Sequence, residues 1–159
     1  MIKLKKNWSI IILIIASISI ATALTAEYIY NILPCKMCVY QRFSYYGLII
    51  ISIIYILLKK QKHISYFLLV ELLLALGLFF SLWHVGIENN FIEGPSGCTN
   101  SLKNISNVGD LKEYILNKPI VSCNAINWTF IGISFAIYNS LLQFLLLITN
   151  SMFIIKKND

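Results

Sequence analysis

Charge is scarce in this 159-residue chain: Asp, Glu, Lys and Arg together make up 13% of it, against about 25% in ordinary globular proteins. That shortage excludes a conventional soluble domain. Apolar residues take the vacated share at 58%, and the mean hydropathy is +0.74. Cysteine is missing from most of the sequence, its four copies falling at Cys35, Cys38, Cys98 and Cys123. Two further absences narrow their chemistry. Val39, not histidine, follows the second cysteine of Cys35-Lys36-Met37-Cys38, which excludes c-type haem attachment. Cys98 and Cys123 are too far apart to make the second close pair of a Cys₄ zinc site, so no metal is expected. There is no solenoid-type repeat and no low-complexity linker.

What is present is a series of long apolar runs, near the roughly 20 residues that cross a bilayer. They lie at about 8–26, 39–58, 64–85 and 128–155. The first follows Lys3, Lys5 and Lys6, and Ala21-Thr22-Ala23 has the look of a signal cleavage site. The run is longer than a signal core, however, and further spans follow, so an uncleaved helix is expected. The second run is short unless its helix begins near Met37 or Cys38. Lys59, Lys60 and Lys62 separate it from the third, and Lys156 and Lys157 close the fourth. These lysines and the N-terminal three share one side, which the positive-inside rule makes cytoplasmic together with both termini. The net charge of +6 is thus consumed by topology, and no nucleic-acid partner is expected.

The expected fold is an all-α membrane protein, a single domain of four transmembrane helices with two extracytoplasmic loops at about 27–38 and 86–127. All four cysteines fall in those loops, as thiols on an oxidising side would. In the second loop, Asp110 and Glu113 fit a capping box. Leu111, Tyr114 and Ile115 follow at helical spacing, and Pro119 ends the run. A short amphipathic helix is expected there, on the membrane surface or as a solvated loop helix. Asn104-Ile105-Ser106 and Asn127-Trp128-Thr129 are formal glycosylation sequons of little weight.

Four cysteines allow three pairings, and the count alone does not choose. Cys35 and Cys38 would close a ring that constrains little chain and stabilises little, which favours a reactive over a structural use. A helix beginning at Cys38 would favour a thiolate there through its unsatisfied N–H groups. Arg42, four residues on, would lie about 5–6 Å away. A stabilised thiolate at the mouth of a span can donate electrons to a lipid-dissolved acceptor. Cys98 and Cys123, if bridged, would gain roughly 3 kcal/mol of loop-closure stabilisation. The residues from Gly94 to Asn100 read as open and flexible, suiting a Cys98 that another protein reaches and that then swings toward Cys35.

Pro34-Cys35-x-x-Cys38-x-Tyr40-Gln41-Arg42 after a first span, Trp83-His84-Val85-Gly86-Ile87-Glu88 closing the third, and a late Cys123 followed by Trp128, Gly132 and Ser134 resemble the DsbB family of bacterial disulfide-bond formation proteins. The resemblance implies a disulfide oxidoreductase of the bacterial inner membrane that reoxidises a periplasmic, thioredoxin-like thiol oxidase of the DsbA type. The partner would open a Cys98–Cys123 bridge at Cys98, and electrons would pass to Cys35–Cys38. Cys38, aided by Arg42, would hand them to a quinone, ubiquinone or menaquinone, and so to the quinone pool and respiratory chain. The resemblance makes the four cysteines catalytic, and Cys38, Arg42 and His84 cofactor-binding. Gln41 reads as a packing residue and Glu88 as a loop charge. Glu71 lies about 10 Å deep by helical rise and matches no family motif, so a transporter using it as a proton site is one rival reading. The other is an accessory four-span protein whose outer loops are stapled by disulfides.

Overall fold

The computed structural model describes residues 7–95, 98, 122–124 and 129–158. Four helices dominate them: α1 (Trp8–Tyr28), α2 (Lys36–Leu57), α3 (Ile64–Glu88) and α4 (Phe135–Asn158). All four are long and apolar enough to cross a membrane, which makes the chain a multi-pass membrane protein. The α2–α3 turn sets the antiparallel course. Lys59 takes a positive φ of 53° after the Leu58 cap. The amides of Lys59 and Lys60 then bond back to the carbonyls of Ile56 and Tyr55, the paired bonds of a Schellman motif. Asn90 ends α3 in the same way, its amide and that of Phe91 returning to Ile87 and Gly86.

The helices pack in sequence order, α1 on α2, α2 on α3 and α3 on α4. On α1 Trp8, Ile12, Ala16 and Ile20, at every fourth residue, are buried together with Ser9 and Ala26, while Ile10, Ile14 and Ile18 are exposed. That leaves one face for helix packing and one for lipid. Tyr45, Leu48, Tyr66, Phe67, Val70, Leu74, Leu146 and Phe153 complete the core. Lipid tails are as apolar as these side chains, so helix contacts depend on small residues and polar ties. Ser44, Ser52, Ser81 and Ser140 are buried accordingly. Gly77 is one such close approach: an added Cβ would lie 2.9 Å from Gln143 Cδ and 3.0 Å from Ser44 Cβ. Gly77→Ala is therefore expected to destabilise the bundle by about 1–3 kcal/mol, read as a lowered midpoint of thermal unfolding in detergent.

At the lysine end a polar knot joins three helices. Trp8 Nε1 donates to Asn150 Oδ1 at 2.8 Å, and Asn150 Nδ2 donates to the Phe67 carbonyl at 2.9 Å and to Glu71 Oε2 at 2.7 Å. Ser151 donates to the other carboxylate oxygen of Glu71. Glu71 is thus an interhelical acceptor tying α3 to α4. The Trp8 and Phe153 rings meet edge to face at 5.0 Å, so α1 and α4 are clamped together here. At the cysteine end a cavity takes up the space between them.

Two helix starts differ from the sequence reading. The second helix begins at Lys36, not residue 39, because Cys35 serves as its cap: Cys35 Sγ accepts from the Cys38 amide at 3.2 Å. The fourth begins at Phe135, not residue 128. A small antiparallel hairpin, β1 (Thr129–Phe130) and β2 (Ile133–Ser134), precedes it. Its turn places Ile131 and Gly132 at positive φ, the two-residue hairpin geometry that glycine favours, and no hydrophobic periodicity announces it. The short amphipathic helix expected at 110–118 lies outside the described residues, as do the sequon at 104–106 and Trp128.

Candidate functional site

The four cysteines converge at one end of the bundle. Cys35, Cys98 and Cys123 belong to one buried cluster with Met37 and Ile87, against which Cys38, Phe80 and Trp83 pack. Cys98 and Cys123 are joined as a disulfide, while Cys35 and Cys38 are free thiols with sulfurs 2.8 Å apart. Pro34 precedes the cap and Cys38 falls in the first turn of α2, so helix geometry itself brings the two sulfurs together. The hydrogen bond to Cys38 and burial push the Cys35 thiol far above its ordinary range.

Cys98, in a stretch whose composition reads as open, is only 2% exposed. Its amide donates to the Pro95 carbonyl, and its carbonyl accepts from the Cys123 amide at 2.8 Å. Gly94 is required for close approach, since a Cβ there would lie 2.8 Å from Cys98 Cβ. The stretch reads as flexible in sequence, but its described residues Gly94 and Pro95 lie close against Cys98. The bridge already packs beside Cys35, so no long swing is needed.

Arg42 turns toward α1, where its Nη1 forms an ion pair with Glu27 and its Nη2 faces the Ala23 carbonyl at 3.4 Å. Glu27 escaped the sequence reading. The available signal was its place at the cysteine end of the first apolar run, in a chain with only seven acidic residues. Gln41, read as a packing residue, is buried and its amide nitrogen lies 3.0 Å from His84 Nδ1. Asn139, also unsuspected, donates from Nδ2 to Gln41 Oε1 at 3.0 Å and accepts from the Tyr45 hydroxyl. Helix periodicity places neither contact, because both join helices distant in sequence.

His84 Nε2 lies 3.4 Å from Cys35 Sγ and 3.8 Å from Glu88 Oε1. Glu88, read as a loop charge, ends α3 and accepts from the Ser134 hydroxyl at 2.6 Å. Donor atoms of Cys35, Cys38 and His84 lie within 4.8 Å of one another, compact enough for a thiophilic ion.

A cavity of about 360 Å³ opens beside the sulfurs, within the size range of small-molecule sites. Ile18, Ala23, Ala26 and Leu142 form apolar walls, and Cys38, Arg42 and His84 stand at its polar end. A membrane protein that holds a dithiol and a disulfide in one buried cluster is of the class of membrane disulfide oxidoreductases. The chain matches the family described as disulfide bond formation protein DsbB over residues 5–153, nearly its whole length, and it belongs to that family. An uncharacterised protein of Rickettsia prowazekii (strain Madrid E), RP370, is 31% identical over 146 residues, covering 90% of this chain and 84% of that one. No solved structure matches the chain.

Proposed function

We propose that the protein is a quinone-dependent disulfide oxidoreductase of the bacterial inner membrane. It reoxidises a periplasmic thioredoxin-like thiol oxidase of the DsbA type. The observation that carries this reading is the adjacency of three things: the Cys98–Cys123 disulfide, the Cys35–Cys38 dithiol and a mostly apolar cavity that Cys38 lines. The basic residues of the α2–α3 turn, Lys59, Lys60 and Lys62, support a cytoplasmic position for the opposite end, with both termini on that side.

The cavity suits a quinone by its donor set. Apolar walls match a hydrophobic ring, and a guanidinium matches a carbonyl oxygen. Cys38, Arg42 and His84 would hold it, with Glu27 restraining the guanidinium at the cavity wall. When bound, a quinone supplies a two-electron acceptor for a dithiol. The remaining steps are thiol–disulfide exchange within the chain. A partner thiolate attacks Cys98, the Cys98–Cys123 bond breaks, and the electron pair leaves on Cys123. The Cys123 thiolate then attacks Cys35 of an oxidised Cys35–Cys38 pair and expels Cys38 as the thiolate lining the cavity. Cys98 and Cys123 are both buried, so partner binding must lift the segment around Cys98.

Purification from membranes in mild detergent tests this reading. Solvent extraction is expected to yield ubiquinone or menaquinone close to one equivalent per chain. A Cys98–Cys123 and Cys35–Cys38 protein without extractable quinone, and inert toward added quinone, would instead favour the accessory protein with stapled loops. The transporter reading draws nothing from Glu71, which is held by two donors on α4.

A further inference from the structure

The polar groups around His84 form a chain in which each member has its donor and acceptor fixed by the next. The Tyr45 hydroxyl donates to Asn139 Oδ1, Asn139 Nδ2 to Gln41 Oε1, and Gln41 Nε2 to His84 Nδ1. An amide nitrogen has only protons to offer, so Nδ1 must be the bare nitrogen and Nε2 the protonated one. The other side of the ring agrees. Nε2 faces the Cys35 sulfur at 3.4 Å and the Glu88 carboxylate at 3.8 Å, each able to accept. A reversed Gln41 amide would put the proton on Nδ1 and leave a bare nitrogen against that sulfur and carboxylate. The Cys35 and Cys38 sulfurs, 2.8 Å apart, continue the chain.

We propose that His84 serves the cysteine pair directly, as the Nε2–H donor to the Cys35 sulfur, and that Gln41 and Asn139 are positioning residues that fix this tautomer. The proposal rests on the exchange chemistry above and names the groups that assist it. The partner's second thiol first displaces Cys98 from the partner–Cys98 disulfide, and Cys35 becomes a leaving group when the freed Cys98 thiolate attacks Cys123 in a Cys123–Cys35 mixed disulfide. The Cys98–Cys123 bond then forms, the Cys123–Cys35 bond breaks, and its electron pair departs on Cys35. That sulfur is 5% exposed, and a buried anion without a donor is costly. The His84 N–H supplies the donor, and a leaving thiolate that is better stabilised departs faster.

The chain has two histidines, so His63→Asn leaves one ring to observe. His63 caps α3 at the far end of the bundle, and asparagine is a good cap. In the full-length, quinone-free protein labelled with ¹⁵N-histidine, the ring shifts are expected to show a protonated Nε2 and a bare Nδ1. Gln41→Glu keeps the shape but offers only acceptors, so Nδ1 is expected to become protonated. A second measurement follows iodoacetamide alkylation of reduced Cys35 by mass mapping in a Cys38→Ala background. Gln41→Leu, Asn139→Leu and His84→Ala are each expected to slow it by about tenfold or more, the least that losing a hydrogen bond to a charged group implies. A wild-type ring protonated on Nδ1 would overturn the proposal, as would unchanged alkylation in all three variants. Neither readout uses quinone or partner. Should both come out as expected while the wild-type protein fails to reduce quinone, the functional reading alone would fall.

Discussion

Cys38→Ala is expected to reduce quinone reduction, driven by a reduced thioredoxin-like donor, to the uncatalysed background, while the protein still inserts and folds. The sulfur lost is the one that lines the cavity, and Cys35 alone has no neighbour with which to close a bond facing that space. The fold should survive for a stated reason. The cap of α2 uses the Cys38 amide and the Cys35 sulfur, both of which remain in the variant. Cys38 is also only partly buried at the edge of its cluster, so truncation leaves no large void. Equal quinone reduction in this variant, at equal membrane content, would end the functional reading.

Cys98→Ala is expected to separate two activities that run together in the wild-type protein. Oxidation of a protein partner should fall by roughly two orders of magnitude or more, as when one member of a group acting as a unit is removed. Quinone reduction driven by a small dithiol should survive, because Cys35 and Cys38 are held by the cap of α2 and do not depend on the bridge. The variant will also be less stable. The bridge spans 25 residues, and losing such a loop closure costs roughly 3 kcal/mol. Comparison with dithiol-driven activity in the same sample separates loss of the relay from loss of fold. Undiminished partner oxidation would show that electrons enter elsewhere.

The sequence carries its large-scale features openly and its site geometry poorly, for separable reasons. Apolar runs set the four helices, because bilayer thickness imposes a length that any reader can count. The cysteines stand out because nothing else in the chain shares their chemistry, and the spacing of Cys35 and Cys38 fixes their contact once a helix starts beside them. The partners of the site are different. Glu27 meets Arg42 across fifteen positions, Gln41 meets His84 across 43 and Asn139 across 98. Such contacts depend on how helices rotate against one another, which local periodicity does not determine. The hairpin before α4 was hidden for another reason. Thr129, Phe130 and Ile133 read as the beginning of an apolar span, and only the backbone at Ile131 and Gly132 shows otherwise.

The central claim is that the two cysteine pairs exchange directly, Cys123 with Cys35, beside the cavity. The most direct measurement traps that contact. Wild-type protein with both cysteine pairs oxidised is mixed with a reduced partner whose second thiol is removed, quenched with acid, alkylated and digested, and its disulfide-linked peptides are mapped by mass. The account predicts a Cys35–Cys123 linkage with the partner bound at Cys98 and Cys38 alkylated as the expelled thiol. Cys35 recovered only in a Cys35–Cys38 linkage while the partner is bound at Cys98 would contradict it.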